Sequence, residues 1–163
     1  ELFQGRVRTR FSSAAHIDDE LRAADVVIGA VLIPGASAPR LVTRAMLAQM
    51  RPRSVLVDVA IDQGGCFETS RPTTHDAPTF EVDGIIHYCV ANMPGAVPQT
   101  SSHALNHATL PFGLALAARG ERALVDDPHL RHGLNVHRGR VTCAPVAQAL
   151  GLPAISAEAA LGI

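Results

Sequence analysis

Residues 55–65 read VLVDVAIDQGG, an apolar stretch broken only by Asp58 before Asp62 and the Gly64-Gly65 pair end it. Apolar side chains at successive positions describe a strand covered on both faces, the kind found in parallel sheets with helices packed above and below. The expected strand spans residues 55–61 and delivers two acids to its carboxyl end, where the glycines let the chain turn. In open α/β sheets ligands sit at that end. A buried carboxylate is costly unless a partner or a reaction uses it, which makes Asp62 the first candidate for chemistry. The alternative is a solvated acid in a surface loop.

The flanking sequence supplies the rest of such a sheet. Residues 6–11 (RVRTRF) alternate polar and apolar side chains and stop at the capping pair Ser12-Ser13, the pattern of a short strand. Residues 17–24 read as a helix with acids at its start, and residues 24–32 (ADVVIGAVL) as a strand buried on both faces. Residues 41–50 form an amphipathic helix closed by Pro52, and residues 85–90 a further buried strand. Strands alternating with helices at this spacing imply βαβ units, a parallel sheet and right-handed crossovers. After Pro98 the pattern changes to one long helix over residues 100–118, kinked at Pro111. A hairpin over residues 134–142 and a short helix over residues 145–150 follow.

Composition narrows the partners. The chain is 47% hydrophobic and 18% charged with a net charge of −1, so it has no basic surface with which to track a phosphate backbone, and no nucleic-acid partner is expected. No apolar run reaches the roughly 18 residues that would span a membrane, and residues 1–4 (ELFQ) do not begin a secretory signal. A soluble, cytoplasmic chain is expected. Cys66, Cys89 and Cys143 are far apart and form no CxxC pair, so they read as reduced thiols. All 14 cationic residues are Arg, so any lysine amine needed for chemistry must come from outside these residues.

Acids and glycines at strand ends invite a search for the dinucleotide fingerprint GxGxxG, which is absent. Residues 29–35 (GAVLIPG) follow a strand, but the glycine spacing is wrong and Pro34 removes a donor. That segment either lies against a nucleotide through backbone atoms or is a plain turn of small residues. Asn92 follows the last sheet strand and can donate to and accept from a carboxamide or carboxylate ligand, although Pro94 and Pro98 also mark a rigid exit from the sheet. Arg71 is available to a phosphate or ribose, or is merely solvated. His103 and His107 share a helix face, but HExxH is absent and no carboxylate lies nearby in sequence, so no metal site is expected. His75 and His87 are candidates for proximity to the site, and the absence of GxSxG leaves acyl hydrolysis unsupported.

Two long motifs carry a family resemblance. DVAIDQGGCFETSRPTTH, from Asp58, and YCVANMPGAVPQTSSHALNHATLP, from Tyr88, resemble the carboxyl-terminal half of bacterial alanine dehydrogenases, in the alanine dehydrogenase and pyridine nucleotide transhydrogenase family. The resemblance runs from about Arg6 to the end. It implies NAD-dependent oxidative deamination of L-alanine to pyruvate and ammonium, in a homo-oligomeric, hexameric enzyme whose subunit has two domains. The implied fold is α/β: a partial Rossmann-type doubly wound parallel sheet lacking its first two strands, followed by helices and a hairpin returning to the substrate domain. Residues 1–98 would complete the NAD-binding domain and residues 99–163 would form the linking helix and the end of the substrate domain.

By the same resemblance Asp62 is the catalytic aspartate. Ser12, Val31, Leu32, Val59, Ala60, Ile61, Asp62, Arg71, Val90, Ala91, Asn92 and Met93 line the cofactor, and Asn92 and Met93 also approach the substrate. The family's substrate-domain histidine, arginine and lysine and its glycine fingerprint would belong to an amino-terminal half that these residues do not include. Alone, the chain is expected neither to oxidise alanine nor to fold as a stable monomer, because strand 6–11 lacks neighbours and strand 24–32 becomes an open edge. Two alternatives accompany this reading: a non-catalytic nucleotide-binding or assembly module, and the NAD(H)-binding part of a proton-translocating transhydrogenase.

Overall fold

A computed structural model describes residues 3–163, which fall into two compact units. Among the described residues the first comprises 3–33 and Ser37–Met93, the second Pro34–Ala36 and Pro94–Ile163.

The first unit is built on a four-stranded sheet, β1 Val26–Gly29, β2 Val55–Asp58, β3 Thr79–Val82 and β4 Ile85–Tyr88, in the order β1-β2-β4-β3. β1 runs parallel to β2, with Gly29 opposite Asp58, and β2 runs parallel to β4; only β3 is antiparallel. The architecture is therefore α/β with a mostly parallel sheet. Helix α1, Ala14–Leu21, precedes β1, and a single turn, α2 Arg44–Leu47, lies in the crossover to β2. Leu21, Val42, Leu47, Leu56, Phe67 and Ile85 are buried together in the core.

Several expected boundaries move, each for a local reason. Residues 6–11 form no strand: no sheet strand pairs with them, and Arg8 and Arg10 instead reach Glu20 of α1 at 3.7 and 2.8 Å. α1 starts at Ala14 rather than at residue 17 because the Ser13 hydroxyl accepts from the His16 amide, so its acids fall beyond the first turn. β1 holds four residues and is not covered on both faces: it lies at the sheet edge, with Val26 57% and Ile28 66% exposed. The helix expected over residues 41–50 shrinks to α2 because the chain before it is drawn into extended pairing. Ala38 N donates to Gln63 O, Leu41 N to Cys66 O, and Glu68 N to Val42 O.

β2 stops at Asp58, and Val59–Gln63 wind into a 3-10 turn ended by Gly64 at φ 94°. β4 stops at Tyr88, after which Val90 bridges to Thr73. β3 was not expected. Its signal lay in Asp83-Gly84, whose φ values of 52° and 80° make the two-residue hairpin turn that an Asp-Gly pair favours.

In the second unit α3, Pro98–Arg119, begins with proline in its first turn, where the missing amide costs nothing, and carries Pro111 within it. Its bounds extend slightly beyond residues 100–118. α4 Glu121–Asp126 and α5 Pro128–Arg131 follow, the latter capped by Asp127 accepting from the His129 and Leu130 amides. The expected hairpin is present as β5 Val136–His137 and β6 Arg140–Val141, and α6 Ala144–Leu150 and α7 Ala157–Leu161 end the chain. No described helix is long and apolar enough to cross a membrane.

Candidate functional site

Because β1, β2 and β4 are parallel, the segments after Gly29, Asp58 and Tyr88 leave the sheet from one end. Two of them face each other across a cleft of about 290 Å³ lined by Ala30, Val31, Leu32, Val59, Ala60, Asp62 and Gln63. The third comes in through the backbone: Asn92 N donates to Asp62 Oδ2 at 3.4 Å. Asn92 holds φ 54°, a left-handed conformation that asparagine tolerates better than most residues, and its carbonyl lies 3.2 Å from His75 Nε2. Five residues singled out in the sequence, Val31, Leu32, Val59, Ala60 and Asp62, thus line one cleft, with Asn92 tied to it. Small and branched apolar side chains form most of the wall, and Asp62 is the carboxylate among its lining residues.

The buried carboxylate expected at Asp62 is a different residue. Asp62 is exposed at the cleft, whereas Asp58 is 0% exposed. The strand ends one residue before Val59, and the tight 3-10 turn carries Asp62 round to the surface. Asp58 Oδ2 accepts from the Cys66 amide at 3.0 Å and from the Ser70 hydroxyl at 2.5 Å, while Oδ1 lies 3.5 Å from Cys66 Sγ. Burial, with the Asp58 charge beside it, pushes the Cys66 thiol up to about 12, so it stays protonated and can donate.

The other singled-out residues lie elsewhere. Ser12 lines a separate groove of about 460 Å³ with Phe11, His16, Ile17 and the β1 residues Val26–Ile28. Ile61 and Val90 are core residues, 4% and 0% exposed; Ala91 is exposed and Met93 half-buried. Arg71 does not line the cleft: its guanidinium carbon sits 4.0 Å over the Phe80 ring, a cation–π contact, and Phe80 stacks on His87 at 4.8 Å. His103 and His107 are exposed on α3, and among the described residues no three His, Cys, Asp or Glu side chains converge to hold a metal.

Sequence reasoning gave no role to Gln63 or to the His87 pair with Thr69. The Gln63 carbonyl holds the Ala38 amide at 2.9 Å, while its side-chain Oε1, on a cleft residue, is enclosed without a partner. His87 is fully buried; Nδ1 donates to Ile85 O at 3.0 Å, which leaves Nε2 to accept from Thr69 Oγ1 at 2.7 Å. Burial lowers the His87 pKa and keeps the ring neutral. Its signal in the sequence was alternation: within β4, Ile85 and His87 share the buried face.

The chain is 59% identical to the alanine dehydrogenase of Halomonas elongata and 55% identical to that of Mycolicibacterium smegmatis, over 99% and 93% of its own length. It spans only 44% and 41% of those relatives. A solved L-alanine dehydrogenase superposes with a TM-score of 0.76 at 50% identity, covering 92% of this chain and 42% of the other. The transhydrogenase from Sinorhizobium meliloti superposes less well, at TM-score 0.51 and 37% identity over 58% of this chain and 27% of its own. With residues 1–144 matching the family described as alanine dehydrogenase/PNT, C-terminal domain, the chain belongs to that family.

Proposed function

We propose that these residues form part of an alanine dehydrogenase that oxidatively deaminates L-alanine to pyruvate and ammonium with NAD. The observation that carries the reading is the exposed Asp62 carboxylate on a mostly apolar cleft at the carboxyl ends of the parallel strands, with the Asn92 backbone amide on it. The names of the relatives support the same activity. Because the chain spans less than half of those relatives, the rest of the active site is assigned to residues outside it.

The cleft fits the cofactor's ring. Val31, Leu32, Val59 and Ala60 offer apolar contact of the kind a ring requires. The chemistry that NAD supplies when bound is acceptance of a hydride from the substrate carbon. Asp62, within a side chain's reach of that cleft, serves the proton transfers of the deamination, directly or through a water. Asn92 and Met93 border the substrate, Ala91 completes the cofactor-facing rim with Ile61 and Val90 packed as core residues behind it, and Ser12 and Arg71 contact the cofactor farther along. Residues 1–98 belong to the cofactor domain and residues 99–163 to the linking helix and substrate domain of a cytoplasmic homo-oligomer, a hexamer.

A second reading, a transhydrogenase component, draws on the weaker likeness to the Sinorhizobium meliloti protein. The deciding experiment is NADH formation by the complete chain containing these residues. Turnover that requires L-alanine, and that is faster with NAD than with NADP, is expected. Transfer between nucleotides without any response to alanine favours the second reading, and nucleotide binding without either activity favours a non-catalytic module.

A further inference from the structure

We propose that Asp58 is a positioning residue, which acts through Asp62 by tying down the loop that carries it; this rests on the role given to Asp62 above. The 3-10 turn Val59–Gln63 is not part of the sheet; its backbone is closed locally by Gly64 N to Ile61 O and Gly65 N to Ala60 O, but these short bonds do not tie the turn to the loop beyond the two glycines. The Asp58 side chain supplies that tie. It stands at the end of β2, opposite Gly29 of β1, and reaches across the turn to the Cys66 amide and the Ser70 hydroxyl. The segment from Asp58 to Cys66 is thereby closed into a ring by a charge-assisted hydrogen bond, with Asp62 on its outer side.

Three neighbouring features are shaped around this closure. Gly65, at φ 78°, has no side chain, and a Cβ there would stand 2.8 Å from Asp58 Oδ2 and 2.8 Å from Ser70 Cβ. Gly29 leaves room for the Cys66 thiol, since a Cβ on it would overlap Sγ. Cys89 Sγ backs Ser70 Oγ from β4's exit at 3.8 Å. A fully buried acid could have been replaced by an apolar side chain without desolvation cost; it is kept where three donors converge on it, at the base of the turn that presents the cleft's own acid.

The test compares Asp58→Asn with the unsubstituted complete chain by three measurements: alanine-dependent turnover per NADH-binding site, its pH profile, and amide exchange over residues 59–66. Asn keeps one accepting oxygen but removes the charge and sets an amide NH2 where the Cys66 thiol donated, so the closure loses its charge assistance and weakens. Turnover per site is expected to fall at least tenfold, the limb of the pH profile belonging to Asp62 to move, and the 59–66 amides to exchange at least tenfold faster, while the NADH dissociation constant changes less than threefold. Ser70→Ala, which removes one donor and leaves the charge, is expected to show the same pattern at two- to fivefold and serves as the arm if Asp58→Asn does not fold. Turnover per site and pH profile unchanged in either folded variant overturn the proposal, because a merely structural acid would lower the number of sites and not the rate at each. If the unsubstituted chain forms no NADH with alanine, the functional reading falls instead, and exchange at residues 59–66 still decides whether Asp58 fixes the turn.

Discussion

The irregular segment Asp58–Arg71 and the regular helix α3 put their apolar side chains to opposite uses. The first contains a 3-10 turn and two left-handed glycines, yet Ala60, Ile61, Cys66 and Phe67 are all buried. α3 is 22 residues of unbroken helix without one buried residue, and Leu105, Leu110, Phe112 and Leu114 are each about half exposed or more. Its apolar residues are spread around the axis instead of forming the stripe that docks a helix on a core. Regular backbone hydrogen bonding holds a helix's shape, whereas a loop keeps one shape only when side chains reach across it. The loop therefore carries the site, and a small change there has more consequence than a large one on the helix.

The largest difference is expected in catalysis. Asp62→Asn keeps the shape and removes the proton acceptor, so alanine-dependent turnover in the complete chain should fall about 10²-fold or more, the usual range for a general acid–base group. That corresponds to about 2.7 kcal/mol of lost transition-state stabilisation. Steady-state rates at saturating NAD measure it. A variant with near-normal turnover would remove Asp62 from the mechanism.

Two glycines test the comparison directly. Gly65→Ala forces a Cβ against Asp58 and Ser70 at a backbone angle that alanine avoids, and should destabilise by about 1–3 kcal/mol in denaturant unfolding. Gly113→Ala in α3 meets nothing within 4 Å and should stabilise by about 0.5–1 kcal/mol through helix propensity. Equal effects at the two positions would break the contrast between a side-chain-fixed loop and a self-sufficient helix.

The same contrast explains what was legible beforehand. β1, β2, β4, α3 and the β5–β6 hairpin follow from local pattern, because apolar runs, proline placement and turn residues act within a few positions. The shortening of the 41–50 helix did not, since the competing partners, Gln63, Cys66 and Glu68, stand 25 or 26 residues from the residues they pair with. Asp58 and Asp62 could both be read as acids at a strand end. Which of them faces the core depends on where β2 gives way to the 3-10 turn, and the hydrogen bonds that settle it come from Cys66 and Ser70. Residues 6–11 show the converse: correct alternation, with no neighbouring strand to pair with.

A smaller, pH-dependent effect is expected from His87, the ring that holds Thr69 of the loop. Burial lowers its pKa in the folded chain below the ordinary 6.5. Between the lowered value and 6.5 the unfolded chain binds a proton that the folded chain does not, so stability rises with pH across that window and is lost as pH falls below 6.5. Thermal unfolding followed from pH 7.5 downward should show this loss, and His87→Gln should flatten it. An unchanged slope in that variant would assign the effect to other groups.

The smallest effect is expected where hydropathy alone would forecast a large one. Leu114 is a bulky apolar residue in the longest helix, but it is 59% exposed, so replacing it removes little burial. Leu114→Gln should change the unfolding free energy by no more than about 0.5 kcal/mol, as exposed substitutions between good helix formers do. Leu56→Ala, at a β2 position that is 0% exposed, provides the scale, because emptying such a core site costs about 2–5 kcal/mol. Both are measured by denaturant unfolding on one protein preparation. A Leu114→Gln cost above about 1 kcal/mol would show that α3 buries its leucines against something in solution, and the helix would then belong with the loop as a segment held by its contacts.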